Sequence, residues 1–173
     1  VDGARMGYGL GSEANDVSLR DFGQLADVFY LGGTKCGALF GEAVVLLADS
    51  LKHRFKTYMK QNGAVLAKGW LLGLQFYALL ENGEYFKITA RADKLAMRLK
   101  EAFAEKGIPS AVDSPTNQQF VILTPLQEEK LAEKYIFEGM GTLEDGRKKV
   151  RFCTSWSTTE DEIDALIADI QVL

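Results

Sequence analysis

Several features are scarce in these 173 residues, and each scarcity excludes something. Cysteine occurs twice, as Cys36 and Cys153, too few and too far apart for a metal-binding pattern or a disulfide framework; a reducing cytoplasm is the default expectation. Histidine occurs once. His53 falls in a helical pattern and reads as a helix-face residue rather than a catalytic base. No charge sign dominates: 20 basic against 24 acidic residues leave −4, spread without long runs, which suggests neither nucleic acid nor an anionic membrane as partner. No apolar run reaches membrane-spanning length, and "AVVLLADSL" is broken by Asp49. There is no initiator methionine, signal peptide, repeat or low-complexity linker. The chain opens Val1-Asp2-Gly3-Ala4, in what reads as the end of a strand, and is expected to be a portion of a longer protein.

What is present has three textures. Four glycines among the first fifteen residues (Gly3, Gly7, Gly9, Gly11) predict loop. "SLRDFGQLA" suggests a helical turn, and "DVFYL" and "EAVVLL" read as short strands around a glycine-framed lysine. From Asp49, Leu51, Phe55, Tyr58 and Met59 recur at helical spacing and end near Gly63. A second helix is predicted over 64–81, apolar almost all round and therefore expected to be buried on most sides. A third, from about Tyr85, stops at Gly107-Ile108-Pro109. Beyond it, "QQFVILTP", "IFEGM" and "KKVRFCTSW" read as strands and "LQEEKLAEKY" as a helix. "EDGR" carries the hairpin-turn signal, and Thr159 with Glu162 forms a capping box for the last helix.

The chemistry-bearing residues stand out by their frames. Lys35 follows Gly32-Gly33-Thr34 and precedes Cys36-Gly37, a tight backbone that allows close approach of another group. A lysine whose pKa falls through burial or a nearby cation becomes a nucleophile toward carbonyls. A solvated loop lysine is the alternative reading. A P-loop is excluded, because Thr34 precedes the lysine and Cys36 follows it. Asp2, before Gly3-Ala4, is placed to face a cleft, and Arg5 to hold a carboxylate through paired hydrogen bonds. Arg151 alternates with Val150 and Phe152 on a strand; a surface carboxylate is its ordinary partner. Taken together, Asp2, Arg5, Lys35 and Arg151 suit pyridoxal phosphate chemistry.

"DGAR", followed 33 residues after its aspartate by "GGTKCGALFGEAVV", resembles the threonine aldolase family of fold-type I pyridoxal phosphate enzymes, within the β-eliminating lyase group. "KQNGAVLAKGWLLGLQF" is similar to the helix that follows in that family, and "VRFCTSWSTTEDEIDAL" to its C-terminal strand and helix. The resemblance implies an α/β fold: residues 1–48 end the large cofactor-binding domain, 49–81 are connecting helices, and 82–173 form a small α+β C-terminal domain. It implies that Lys35 carries the cofactor, that Asp2 pairs with the pyridine nitrogen, that Thr34 lies beside the cofactor, and that Arg5 and Arg151 bind the substrate carboxylate. The family typically has Asn at the place of Cys36. Its phosphate-binding loop and the aromatic ring stacked on the cofactor precede "DGAR", so this chain alone is expected to bind cofactor weakly or not at all and to show no useful turnover. The implied reaction cleaves a β-hydroxy-α-amino acid, threonine or allo-threonine, to glycine and an aldehyde, in a homodimer or homotetramer. Another β-eliminating lyase, or a non-catalytic remnant acting as an interaction module, are the alternatives.

Overall fold

The computed structural model describes residues 1–173, which divide into two compact units. The first comprises residues 1–11 and 15–88, the second 12–14 and 89–173. No helix is long and apolar enough to cross a membrane.

In the first unit, the opening residues lead into helix α1 (Met6–Gly11), followed by the single turn α2 (Phe22–Leu25) and the antiparallel strands β1 (Val28–Gly32) and β2 (Glu42–Leu46). The other edge of β1 is taken by Val1–Gly3, which runs parallel to it: the Val1 nitrogen donates to Val28 O (2.7 Å), Tyr30 N to Val1 O (3.4 Å) and Gly32 N to Gly3 O (2.8 Å). The glycine density of the N-terminal stretch predicts loop, yet residues 6–11 are helical. Burial of Met6 and Tyr8, together with the bonds from Met6 N to Gly3 O and from Tyr8 N to Arg5 O, outweighs the poor intrinsic propensity.

The periodic stretch after Asp49 is two short helices rather than one. Helices α3 (Asp49–Lys52) and α4 (Phe55–Gln61) are separated at Arg54, whose φ of 55° is left-handed. Gly63, at φ 71°, ends α4 in a Schellman motif, with Ala64 N bonded to Met59 O and Gly63 N to Lys60 O. That stop explains why α5 spans Trp70–Glu81 and does not begin at Ala64. Phe76 is its one buried residue. Trp70 (65% exposed), Leu74 (50%) and Tyr77 (60%) remain open, so the expectation of burial on most sides is not met within this chain. An all-round apolar sequence reports that a helix needs cover, not that its own chain supplies it.

Helix α6 (Glu84–Glu105) starts in the first unit, and most of its length belongs to the second. It also ends in a Schellman motif: Gly107 N bonds to Ala104 O, Ile108 N to Phe103 O, and Phe103 and Ile108 join the core. The second unit continues with β3 (Ser110–Val112), β4 (Gln118–Leu123), α7 (Pro125–Ala132), β5 (Glu138–Thr142), β6 (Lys148–Cys153) and α8 (Glu160–Gln171). The strands form one antiparallel sheet in the order β3-β4-β6-β5. Alternation on β4 and β6 sends Val121, Leu123, Val150 and Phe152 into a core with Leu99 and Phe103 of α6 and Ile163 and Ile170 of α8. Capping boxes start both later helices, Thr124 with Gln127 and Thr159 with Glu162. The β5–β6 turn closes through Leu143 N to Arg147 O (2.8 Å), with Gly146 at φ 84°. Strand β3 was not foreseen; three residues with a bulge are too short for an alternation signal.

One buried acid belongs to this unit. Asp93 of α6 is 4% exposed, and neither carboxylate oxygen has a hydrogen bond of good geometry. Burial pushes its pKa up to about 7, and the nearby Asn117 N–H offsets only part of that effect. The folded state therefore keeps a proton that the unfolded chain has released above about pH 4. The contribution of Asp93 to stability is greatest in acid, falls as pH rises from about 4 to about 7 by at most about 1.4 kcal/mol per pH unit, and is flat above. In urea melts across this range, Asp93→Asn is expected to flatten the decline and to exceed the wild type at pH 8. A second expectation concerns the join between the N-terminal segment and β1. A Cβ on Gly32 would lie 2.3 Å from Ala4 O, so Gly32→Ala must displace backbone and is expected to destabilise by about 1–3 kcal/mol in the same melts.

Candidate functional site

The pairing of Val1–Gly3 with β1 has a geometric result. It delivers Asp2 and Arg5 to the end of β1 from which the Lys35 loop departs. In that loop Cys36 N (2.8 Å) and Ala38 N (3.0 Å) both donate to Gly33 O, and Gly37 takes φ 101°. A Cβ on Gly33 would meet Phe76 Cζ at 2.7 Å and Gly41 O at 2.8 Å, which explains the second glycine of the frame. Gln75 of α5 holds the far side of the loop, accepting from Leu39 N (2.7 Å) and donating to Phe40 O (3.3 Å).

Asp2, Arg5 and Lys35 line one recess of about 510 Å³, with Asn15, Val17 and Phe22 among the other walls. Thr34 is exposed beside Lys35. The Asp2 carboxylate accepts from Tyr30 OH and from Ala4 N (3.0 Å), and these bonds, with a smaller contribution from the Lys35 ammonium, hold it below the usual carboxylate range. The same bond to Asp2 pushes the Tyr30 phenol up to about 12. Glu42 at the start of β2 is raised by desolvation, and the Lys35 charge opposes the rise. A larger hollow of about 840 Å³ lies along α4 and the 64–69 turn. Its walls, among them Met59, Val65 and Leu66, include no acid, so it lacks the acid–amine pair of the first recess.

Arg151 lies in the second unit, on the face of β6 opposite Val150 and Phe152. Its register partners are Phe120 on β4 and Glu138 on β5, and its Nε is buried without a hydrogen-bond partner. Gln118 Oε1, diagonal to it on the same face, is likewise buried and unpaired. Cys36 is fully buried and burial raises its thiol pKa, which argues against a nucleophile. His53 is exposed at the break between α3 and α4.

Sequence reasoning missed Tyr8, Tyr30, Glu42, Tyr85 and Gln118. Tyr30 was the most accessible of these: alternation places it on the face of β1 opposite Phe29 and Leu31, where only a polar tip has a use. Nothing local marks Tyr8 or Tyr85, whose partners lie far off in the chain.

No protein-family model matches the chain. A low specificity L-threonine aldolase of Pseudomonas sp. (strain NCIMB 10558) is 30% identical over 152 residues, covering 85% of this chain and 42% of that protein. The protein of the same description from Pseudomonas aeruginosa is 27% identical, covering 100% of this chain and 49% of its own length. Among solved structures, a Leishmania major threonine aldolase superposes with a TM-score of 0.96 at 39% identity, over 99% of this chain and 50% of that one. A Sphingomonas wittichii serine palmitoyltransferase, at 13% identity and a TM-score of 0.66, shares the fold alone. The chain spans about half the length of the relatives it matches. It is related in sequence and in structure to the threonine aldolases and carries part of the fold-type I architecture of pyridoxal phosphate enzymes.

Proposed function

We propose that the chain is the C-terminal portion of a pyridoxal phosphate-dependent lyase of the threonine aldolase kind, cleaving a β-hydroxy-α-amino acid to glycine and an aldehyde. One observation carries the reading: an exposed lysine amine, Lys35, shares a recess with a carboxylate, Asp2, that two hydrogen bonds keep ionised. This pair suits a group with a carbonyl at one end and a basic ring nitrogen at the other. When bound, pyridoxal phosphate supplies an electron sink for the pair left on Cα as the Cα–Cβ bond breaks.

The chain's own residues have distinct tasks. The exposed Lys35 amine would hold the cofactor through its carbonyl. Asp2, kept ionised by Tyr30 and the Ala4 N–H, would pair with the ring nitrogen and favour its protonated form. Thr34, exposed beside Lys35, would lie next to the cofactor. Arg5 and Arg151 hold the substrate carboxylate, which orients the bond to be broken. The unpaired Nε of Arg151 supports its part, since a buried guanidinium N–H without a partner is completed by an anion. Residues 1–48 then finish the large domain, 49–81 connect, and 82–173 form the small domain. The phosphate anchor comes from the remainder of the protein. The reading also takes in a homodimer or homotetramer in the cytoplasm, supported by the open apolar side of α5.

The test uses the full-length protein with pyridoxal phosphate. Absorbance between roughly 300 and 500 nm, where lysine–pyridoxal conjugates absorb, is followed by borohydride and peptide mapping. The expected result is a fixed adduct on Lys35, abolished by Lys35→Ala, with glycine released from threonine or allo-threonine. A protein that forms no adduct, or acts on serine and cysteine derivatives but not on threonine, overturns the aldolase reading. Arg151→Ala is expected to raise KM for the amino acid by about 10–100-fold, the loss of one charge-assisted contact.

A further inference from the structure

Two buried phenols sit behind the recess, and neither is used in the chemistry above. Tyr85, at the start of α6 and 0% exposed, accepts from Gly7 N (3.1 Å) and donates to Gly32 O (2.9 Å), and its hydroxyl lies beside the Cys36 thiol. Tyr8 of α1, 1% exposed, donates to the carbonyl oxygen of Lys35 itself. Each partner belongs to a segment that carries a site residue. Gly7 lies two residues beyond Arg5, Gly32 three before Lys35, and Cys36 directly after it.

We propose that the Tyr8 and Tyr85 hydroxyls are positioning groups that fix the Lys35 loop against the segment bearing Asp2 and Arg5, and so set the reach and surroundings of the Lys35 amine. A phenylalanine fills the same volume, so packing alone does not ask for either hydroxyl. The backbone groups do: without the Tyr85 oxygen, the Gly7 N–H and the Gly32 carbonyl lose a buried partner. Burial raises the Tyr85 pKa and that of Cys36, so both stay protonated and the pattern holds across the physiological range. The bond from Tyr8 acts directly on the peptide of Lys35, where a small rotation moves the side-chain tip by far more than it moves the backbone. The proposal rests on the reading of Lys35 as the cofactor-bearing residue, and its test works without cofactor.

The experiment is competitive acetylation of the folded full-length protein over a pH series, read by mass spectrometry at each lysine. Tyr85→Phe and Tyr8→Phe are compared with the wild type. The expected result is a change of at least about threefold in Lys35 labelling, or a displaced Lys35 titration midpoint, with Lys130 on α7 unchanged. That selectivity separates positioning from general loosening, which raises labelling at many lysines together. If Tyr85→Phe does not fold, Tyr8→Phe carries the test, because it removes the bond to the Lys35 carbonyl and leaves the Gly7–Gly32 bridge intact. Wild-type Lys35 labelling in the folded variants overturns the proposal. A wild type that labels as expected yet forms no borohydride-fixed adduct overturns the cofactor reading and leaves the positioning result standing.

Discussion

The first unit depends on backbone hydrogen bonds between its N-terminal segment and β1. The bond from Gly32 N to Gly3 O, with two more upstream, is what makes neighbours of residues 33 positions apart. Two glycines follow from that closeness: a Cβ on Gly3 would approach Tyr30 O to 1.6 Å, and one on Gly32 would approach Ala4 O to 2.3 Å. Asp2, Arg5 and Lys35 line the recess beside this join, where the Lys35 charge helps to lower the Asp2 pKa.

The second unit is organised differently. Its sheet has one apolar face buried under α6 and α8, and an opposite face that carries Gln118, Phe120 and Arg151. Two polar atoms on that face, Gln118 Oε1 and Arg151 Nε, are buried without partners. Orphaned donors and acceptors of this kind are rare in a finished interior and mark places that something else completes. Asp93 is another exception, and protonation resolves it without any external group.

Much of this was legible in the sequence, for identifiable reasons. Long helices with strong stops were read well, since Gly107 and the Thr159–Glu162 box act through local backbone chemistry that one stretch of sequence contains. The alternation of β6 and the turn before it were equally local. The elements that escaped owe their form to distant partners. Residues 6–11 are helical because Met6 and Tyr8 are buried, and the helix after Asp49 breaks at an arginine in a conformation that its residue type does not announce. At the site, the glycine frame of Lys35 and the DGAR motif were readable, while the tyrosines that support them were not. A phenol bonded across 53 residues of sequence leaves no periodic trace.

The open side of α5 has a practical corollary. Trp70 stands at its head and is one of only two tryptophans in the chain, the other being Trp156. An indole in water and an indole sealed against apolar neighbours emit at different wavelengths. With Trp156 replaced by phenylalanine, the protein becomes its own fluorescent gauge of whether that side is wet or covered, readable at concentrations too low for scattering methods and without attaching any dye.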